Sequence, residues 1–590
     1  MPAGVACACG LALLCALALS EVAAQTPRAA VPDAAIYDVR DDVRVRMRDG
    51  GTVSAIVVRR RAASEPLPTL LWLDIYTDAA AFRARAADIA AHGYVGVIAD
   101  TRGKRLSPDA IQPYEHEAAD AHDVIDWIAH QPWSNGTVGM LGGSYSGFTA
   151  WAATKQLHPA LKTIAVSAAA IPGQGLPMCN NVFLNANYGW AFYVADGKYL
   201  DEKVYSDSGR WERLQSAWFA SGLPYRGIDA IDGTPNPLLQ RWLEHPAYDA
   251  YWQAMVPYRD DFAHIDIPVL TITGYYDDGQ VSALEYLKEH YRYRPAAEHY
   301  LVIGPYDHLA THWSVKPEVL RGYRIDPVAQ FSTPELSYQW MDYVLRGGPK
   351  PAMLRGRINY EVMGANEWRH AATLGEMGQR RQRLYFSTRP TTGGAAGEAR
   401  HLLTAATPVA DGFLEQRVDL ADHRHQNNTL YYPSPIVEEK SGPPTGLVFV
   451  SEPLAQPEVV SGAFAGQLEV SINKRDVDLG VTVFEELPDG RLFHLAYWLG
   501  RASFAADRTH RRLLTRGKIS RIPFETSLVS RLLGKGSRLL VLADVNKNEY
   551  AQVNYGTGRD VSDESSADAG APLAVRWHSG SYLDLPLDQR

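Results

Sequence analysis

Cysteine, clustered basic residues and long apolar segments are all scarce in this sequence of 590 residues, which contains only four cysteines. Three of them, Cys7, Cys9 and Cys15, lie in the first segment of the chain, so the remainder keeps Cys179 alone and forms no intramolecular disulfide. The net charge is −9 and no Lys/Arg block occurs, which argues against nucleic acid and anionic membranes as partners. After the N-terminal segment, no run is long and apolar enough to span a bilayer.

The N-terminal segment predicts a signal peptide over residues 1–24. An apolar stretch from Val5 to Leu19 precedes Val22-Ala23-Ala24, a small-residue cleavage pattern before Gln25. The segment lacks the usual Lys or Arg, and a buried helix or a membrane anchor is the alternative interpretation. The low cysteine content fits a bacterial protein of the periplasm or the extracellular medium.

The order of apolar runs predicts an α/β domain followed by an all-β domain. Between residues 36 and 310, runs such as "TLLWLDIY", "YVGVIAD" and "PVLTITGYYD" alternate with helix-like segments, which is typical of a parallel sheet covered by helices. We assign residues 25–169 and 263–346 to this core. Residues 347–590 contain short alternating strands between Gly, Pro, Asp and Asn turns, the pattern of a β-sandwich or jelly roll.

The alternation is interrupted over residues 170–262. This stretch is rich in aromatic residues and has helical character without strand runs, as in "NYGWAFYVADGKYL". Its position between two predicted sheet strands indicates a helical cap over the carboxyl edge of the sheet.

Ser144 is a candidate nucleophile in "MLGGSYSGFTAWAA". The run "TVGMLGGS" predicts a strand and "YSGFTAWAATKQ" a helix, so Ser144 lies at a sharp strand-to-helix turn with small neighbours. The final glycine, Gly147, comes one position later than in Gly-x-Ser-x-Gly, and a serine with a purely structural role in a turn is the alternative.

A candidate acid and then a candidate base follow Ser144 along the chain, which is the order expected when the nucleophile lies at such a strand-to-helix turn. Asp277 and Asp278 follow one predicted strand and His308 follows the next, at the carboxyl ends where α/β sheets collect their sites. His308 would accept the serine proton, while Asp277 would hold the imidazole tautomer and stabilise the imidazolium.

Several motifs together resemble the cocaine esterase and X-prolyl dipeptidyl peptidase group, the CocE/NonD-type serine hydrolases. They include "ADTRGKRLS", "WSNGTVGMLGGSYSG", "YDAYW", "GYYDDG" and "GPYDH", and the similarity extends from about residue 36 to residue 588. The resemblance implies an α/β-hydrolase core, an inserted helical cap and a C-terminal jelly roll. It also implies the motif Gly-x-Ser-Tyr-x-Gly, which accounts for Gly147. Tyr275 and Tyr306 stand where this group has tryptophan.

The same resemblance implies an oxyanion site and a substrate pocket. The backbone N–H of Tyr145 would be one oxyanion donor and the hydroxyl of Tyr76 the other, although Tyr76 could equally be a core tyrosine. Four cap aromatics are candidates for the pocket wall: Trp190, Phe192, Tyr193 and Trp218. No cofactor or metal is implied. "HRH" at 423–425 shows no converging ligand spacing, and Glu117, Asp120 and Asp123 suggest a charged, solvated helix face.

Three substrate classes stay open, all of them small esters, amides or short peptides. An esterase or amidase for an apolar or aromatic acyl group leads, because an α-amino-ester hydrolase needs clustered carboxylates for an ammonium. The sequence Asp278-Gly279-Gln280 lacks that acidic pair, and "CNNVF" offers amides instead. An X-prolyl dipeptidyl peptidase would need an amine anchor as well. A binding protein on an inactive hydrolase scaffold is the remote alternative, and homo-oligomerisation is undecided.

Overall fold

A computed structural model describes residues 33–391, 399–408, 412–439 and 445–588. The signal peptide predicted for residues 1–24 lies outside the described residues. Within the described ranges, no helix combines the length and apolarity needed to cross a membrane.

From residue 33 onward, where the description begins, sixteen strands precede the C-terminal domain. In chain order they are β1 (Tyr37–Arg46), β2 (Thr52–Arg60), β3 (Leu67–Asp74), β4 (Val95–Asp100), β5 (Ser134–Gly143), β6 (Leu161–Ser167), β7 (Ile171–Pro172), β8 (Gly175–Leu176), β9 (Met178–Cys179), β10 (Val182–Phe183), β11 (Val269–Tyr276), β12 (His299–Asp307), β13 (Val319–Leu320), β14 (Tyr323–Arg324), β15 (Ile358–Val362) and β16 (Glu367–Ala371).

Ten of these strands form one sheet in the order β1-β2-β4-β3-β5-β6-β11-β12-β15-β16. The strands from β4 to β15 are parallel, and antiparallel pairs close both edges. Strands β4 and β11 are buried along their whole length, because helices cover both faces of the sheet. These core helices are α1 (Ala79–Ala91), α2 (Glu117–Ala129) and α3 (Tyr145–Lys155), and later α10 (Gln280–Tyr293) and α11 (Thr333–Arg346).

The cap consists mainly of short helices inserted between β6 and β11. They are α4 (Ala186–Ala195), α5 (Glu202–Ser206), α6 (Ser208–Ser221), α7 (Ile228–Asp232), α8 (Pro237–Leu243) and α9 (Ala250–Gln253). Side chains of α4 and α6 face the carboxyl edge of the sheet and line a cavity there. This is the arrangement that the aromatic-rich stretch predicts.

In the C-terminal domain, the described residues form twelve further strands. They are β17 (Arg380–Pro390), β18 (Arg400–Thr404), β19 (Phe413–Val418), β20 (Val437–Glu438), β21 (Leu447–Val450), β22 (Glu458–Ile472), β23 (Asp478–Glu486), β24 (Leu492–Arg501), β25 (Ser520–Leu533), β26 (Arg538–Val545), β27 (Leu573–His578) and β28 (Tyr582–Leu587). All twelve are linked by hydrogen-bonded pairing, which is antiparallel between the described strands except for β18 with β21. The domain is β-rich as expected, and its jelly-roll connectivity stays a prediction.

The first sheet extends further along the chain than the boundary at residue 347 suggests. The run "INYEVMG", which we assigned to the C-terminal domain, contains β15, and β15 pairs in parallel with β12 through Leu301 and Ile358. Helix α11 provides the crossover that a parallel connection needs. The exposed edge of β12 would otherwise leave backbone groups unpaired, which explains why this alternating strand joins the core sheet.

Candidate active site

Ser144 occupies a strained turn between β5 and α3. Its φ of 56° and ψ of −119° lie in a region that costs a non-glycine residue about 1–3 kcal/mol. A Cβ on Gly142 would come within 2.1 Å of the Ser146 carbonyl oxygen, and a Cβ on Gly147 within 2.8 Å of Ala169. The two glycines therefore allow the close packing that this turn requires, and Gly147 meets the demand one position later than the simpler motif places it.

Asp277 follows β11 and is fixed by three hydrogen bonds. Its side chain is fully buried. Oδ2 accepts from the hydroxyl of Thr273 at 2.7 Å, and Oδ1 accepts from the backbone N–H of Gly279 at 2.8 Å. The third bond joins Oδ1 to Nδ1 of His308 at 2.9 Å. This carboxylate can therefore orient the imidazole with little freedom of its own.

Asp278 approaches the same imidazole nitrogen from a second direction. Its Oδ1 lies 3.0 Å from Nδ1 of His308, within ion-pair distance but without a hydrogen bond to it. That oxygen is buried and has no hydrogen-bond partner among the described residues. The Asp278 side chain is 30% exposed overall and lines the cavity that also contains Ser144 and His308.

The two carboxylates determine the electrostatics of His308. Burial by itself lowers the pKa of His308, but Asp278 and Asp277 outweigh it and hold that pKa well above its usual value. Burial raises the pKa of Asp277. Asp278 has its pKa lowered to about 2, because its attraction to His308 and Arg321 exceeds the cost of burial. An imidazolium is thus strongly stabilised at this position.

A second histidine, His312, lies behind His308. The two rings are 5.5 Å apart, and Nδ1 of His312 is 2.7 Å from the hydroxyl of Ser167. Burial first, and then the positive charge on His308, hold the pKa of His312 well below its usual value. His312 therefore contributes a neutral wall to the cavity.

Tyr275 and Tyr306, which replace the tryptophans of the resembling group, are buried with their hydroxyls satisfied. Tyr275 donates to the carbonyl oxygen of Glu361 at 2.6 Å, and Tyr306 donates to that of Ala329 at 2.8 Å. Both residues lie near the carboxyl ends of their strands, Tyr275 in β11 and Tyr306 in β12. Their replacement of tryptophan is compatible with the site because each hydroxyl finds a backbone acceptor.

Tyr76 and Tyr145 face each other across the cavity beside Ser144. Their ring centroids are 6.4 Å apart, and both residues line the cavity with Ser144. Asp74 accepts from the backbone N–H of Tyr76 at 3.1 Å. The indole N–H of Trp190 donates to the Tyr76 hydroxyl oxygen at 2.8 Å. The bond from Trp190 therefore orients the Tyr76 hydroxyl within the cavity.

A buried carboxylate supports Tyr145 from below. The Tyr145 hydroxyl donates a short hydrogen bond to Glu117 and accepts from the backbone N–H of Tyr114 at 3.2 Å. Glu117 is only 3% exposed, and burial raises its pKa to about 7 despite the bond from Tyr145. The side chain of Tyr145 is thereby fixed at the first turn of α3.

This corrects the interpretation of the acidic residues on α2 as a solvated face. Glu117 and Asp120 are both buried, because the first bonds Tyr145 and the second forms an ion pair with Arg102. Asp123 is partly buried too, with its side chain 12% exposed, and pairs with half-exposed Arg48. Their helical spacing could not reveal which tertiary partner each carboxylate would meet.

The cavity above Ser144 has a volume of about 480 Å³ and contains only part of the predicted pocket wall. Trp190 and Tyr193 line it, as we expected. Phe192 and Trp218 do not, since they are 4% and 2% exposed and pack inside the cap. Phe192 stacks on Trp211 with centroids 5.7 Å apart, and Trp218 meets Tyr225 edge-on at 5.2 Å. Both are therefore removed from the candidate pocket.

Asp277, Asp278 and His308 are close enough to be considered as metal ligands, since their side-chain ligand atoms lie within 4.8 Å of one another. The distances of 2.9 and 3.0 Å from Nδ1 to the carboxylates are those of a protonated nitrogen facing acceptors. The proton on Nδ1 of His308 therefore explains why the two carboxylates lie so close to this nitrogen.

Comparison with known proteins agrees with the geometry along most of the chain. Residues 49–310 match the X-Pro dipeptidyl-peptidase (S15) family, and residues 352–576 match the X-Pro dipeptidyl-peptidase C-terminal non-catalytic domain. Cocaine esterase from Rhodococcus sp. (strain MB1 Bresler) is 26% identical, over 94% of this chain and 99% of its own. The chain belongs to the cocaine esterase and X-prolyl dipeptidyl peptidase group. It is a serine hydrolase.

Two solved structures share the fold of this serine hydrolase over nearly its whole length. An α-amino acid ester hydrolase is 21% identical with a TM-score of 0.76, covering 95% of this chain and 98% of its own. An aminopeptidase from a marine sediment archaeon, Thaumarchaeota archaeon, is 19% identical with a TM-score of 0.76, covering 96% and 98%. These likenesses confirm the α/β-hydrolase core with its β-rich C-terminal domain.

Proposed function

We propose that this serine hydrolase cleaves small ester or amide substrates through an acyl-enzyme formed on Ser144. His308 is the general base and Asp277 the acid that orients it. The observation that carries the proposal is the fixed hydrogen bond from His308 to Asp277 at 2.9 Å, in a cavity that also contains the strained Ser144.

The proposed reaction proceeds in two acyl transfers. The hydroxyl of Ser144 attacks the carbonyl carbon while its proton passes to Nε2 of His308. The tetrahedral intermediate then expels the alcohol or amine, which takes that proton, and an acyl-serine ester remains. Water attacks this ester and gives a proton to His308, and the proton returns to the departing Ser144 oxygen as the acid is released.

Two donors would stabilise the negative oxygen of each intermediate. The backbone N–H of Tyr145 lies at the start of α3, where the first N–H groups of a helix have no partner in the helix itself. The hydroxyl of Tyr76 would be the second donor; Trp190 bonds its oxygen, and Asp74 accepts from the backbone N–H of the same residue. Donors fixed in advance lower the barrier because no reorganisation is needed when charge develops.

The cavity supports an apolar or aromatic acyl group as the substrate class. Its aromatic wall includes Tyr114, Trp190, Tyr193 and Trp211, and a volume of about 480 Å³ suits a small molecule rather than a polypeptide segment. Recognition of a free amine is the second candidate, because the partly exposed side chain of Asp278 lines the same cavity. That candidate includes the X-prolyl dipeptidyl peptidase and α-amino-ester hydrolase activities.

A substrate panel tests these alternatives. It combines p-nitrophenyl esters of increasing chain length with Gly-Pro and Ala-Pro anilides, each with a free and an acetylated amine. We expect turnover of the esters with little preference for the free amine, and loss of it in Ser144→Ala. Strong selectivity for free-amine anilides would favour the peptidase, and no turnover together with no labelling by a fluorophosphonate would indicate a binding protein.

We also propose export to the periplasm or medium, which rests on the N-terminal sequence alone. Expression of the full chain in a bacterium, followed by fractionation and N-terminal sequencing, should give a mature protein beginning at Gln25. Recovery of the uncleaved chain from the cytoplasm would contradict export.

A further inference from the structure

The strand end after β11 presents two adjacent carboxylates to one imidazole nitrogen. Asp277 and Asp278 place an oxygen 2.9 and 3.0 Å from Nδ1 of His308. A single Nδ1 proton cannot form two well-aligned hydrogen bonds at once, and here it is directed to Asp277. Both acids therefore lie within ion-pair distance of the same nitrogen.

The two carboxylates differ in what else they bind. Asp277 also accepts from Thr273 and Gly279, so its position is fixed whether or not His308 is charged. The nearer oxygen of Asp278 is buried without a hydrogen-bond partner among the described residues. A buried ionised oxygen without a donor is costly unless a positive charge compensates it, and His308 is the cationic group closest to it.

We propose that Asp278 is a positioning residue that shares the Nδ1 proton of His308 with Asp277, so that the imidazolium forms between two carboxylates. The inference rests on the proposed role of His308 as general base. Asp278 stabilises the charge that appears on His308 in each tetrahedral intermediate, and it offers a second acceptor if the ring rotates slightly away from Asp277.

The surroundings leave the two aspartates as the main influence on His308. The other ionisable groups that face the cluster from the packed elements are His312, Lys316, Arg321, Arg85 and Tyr497. Of these, His312 is held neutral by burial, and Arg321 is paired with Asp307 at 3.2 Å. Arg321 acts on Asp278, and Lys316 and Arg85 act on His312. These positive charges do not cancel the attraction between His308 and the two acids.

This arrangement predicts the pH dependence of kcat/KM. The free enzyme needs a neutral His308 to accept the serine proton, so activity falls as the pH drops through the pKa of His308. Because the two carboxylates raise that pKa, the acid limb of the wild-type profile should lie above about 6.5, the usual histidine value. In Asp278→Asn one of the carboxylates is lost, and the limb should move to lower pH by about one unit or more.

The experiment measures kcat/KM against pH on one good ester for wild type, Asp278→Asn and the control Asp88→Asn. Asp88 lines the same cavity but bonds Tyr338 instead of His308, so Asp88→Asn should keep the acid limb at its wild-type position, whatever its effect on the plateau. We expect Asp278→Asn to have a lower plateau and yet to retain a larger fraction of it at acidic pH. An unmoved acid limb would overturn the proposal, as would an effect confined to KM for free-amine substrates, which would make Asp278 an amine-binding carboxylate.

A second pair of variants tests the sharing of the proton directly. If Asp278 provides an alternative acceptor, Asp277→Asn retains activity that Asp277→Asn/Asp278→Asn loses, by about ten-fold or more. Equal turnover of the single and double variants would contradict sharing. Fluorophosphonate labelling of the wild type separates these failures from failure of the proposed function, because a protein without a nucleophilic Ser144 would not label at all.

Discussion

The sheet wall and the cap wall of the cavity satisfy their polar groups in different ways. At the strand ends, Asp277 has three hydrogen-bond donors and Tyr76 is held from two sides. In the cap, Asn185 Oδ1 and Asn187 Nδ2 are buried and have no hydrogen-bond partner among the described residues, although both residues line the cavity. Apart from the Asp278 oxygen beside His308, these sheet-wall groups are bonded before substrate arrives, whereas the cap wall keeps polar atoms that a substrate or water can satisfy.

This difference suggests that the sheet wall acts mainly in catalysis and the cap wall mainly in substrate binding. Groups fixed in advance lower the barrier to the chemical step, so changes on the sheet wall should reduce kcat. Groups that are satisfied only on binding affect ground state and transition state alike, so changes on the cap wall should alter KM. Trp190 belongs to both walls, because it lies on α4 and donates to Tyr76.

The largest effect should come from removing the nucleophile or its base. Ser144→Ala and His308→Ala should each lower kcat by about 10⁴-fold or more, and the double variant should cost little beyond either, because such residues act as one unit. Steady-state kinetics on one ester, with circular dichroism to verify folding, measures this. Near-native turnover in Ser144→Ala would make that serine a structural turn residue.

The next largest effect should come from the Tyr76 hydroxyl. Tyr76→Phe keeps the ring and removes one donor, which typically costs about 10²–10³-fold in kcat with little change in KM. Trp190→Phe removes the bond that orients that hydroxyl and part of the aromatic wall, but it keeps the Tyr76 donor itself, so the loss in kcat should be smaller. If kcat of Tyr76→Phe stays within a few-fold of wild type while the melting temperature falls, Tyr76 is a core residue.

A moderate effect on KM should follow from changes in the cap wall. Asn187→Ala removes the donor that Nδ2 would offer to a bound substrate, and a net hydrogen bond of about 1 kcal/mol corresponds to a rise in KM of about five-fold with kcat nearly unchanged. Phe192→Leu is the matched control on the same helix, since Phe192 packs inside the cap. It should lower the melting temperature and leave KM unaltered. A large fall in kcat for Asn187→Ala would remove the distinction between the two walls.

The smallest effect on catalysis, with a clear signature in stability, should come from Glu117. Its pKa of about 7 in the folded state exceeds the ordinary 4.5, so the folded protein holds this proton more tightly than the unfolded chain. The free energy of unfolding should therefore decrease as pH rises between about 4.5 and 7, by up to about 3 kcal/mol. Glu117→Gln should flatten that slope in denaturant titrations, and Asp126→Asn, on the exposed side of α2, should not. An unchanged slope would mean that Glu117 does not hold its proton in this range.

The sequence allowed the sheet wall to be predicted in more detail than the cap wall, for a physical reason. The positions of Ser144, Asp277 and His308 follow from where buried strands end, and a strand end is visible in the pattern of apolar residues. The direction of Phe192 or Trp218 depends on how short helices pack against one another. Aromatic composition marks the cap as a unit but cannot tell a lining residue from a core residue.

Tertiary partners account for what the sequence did not reveal at the site. The bond from Tyr145 to Glu117 joins residues on two helices, and the carboxylate that seemed a surface group is buried by it. Likewise β15 has the alternation of a C-terminal strand, and only the unpaired edge of β12 explains its place in the first sheet. The role of Asp278 depends on a distance that spacing along the chain does not fix.

The central claim is that Ser144 carries the acyl group, and intact-protein mass spectrometry after reaction with a fluorophosphonate tests it most directly. The account predicts one adduct on the wild-type protein, located by peptide mapping on Ser144, and none on Ser144→Ala under the same conditions. An adduct of equal yield on Ser144→Ala, or one located on another serine of the wild type, would contradict the claim.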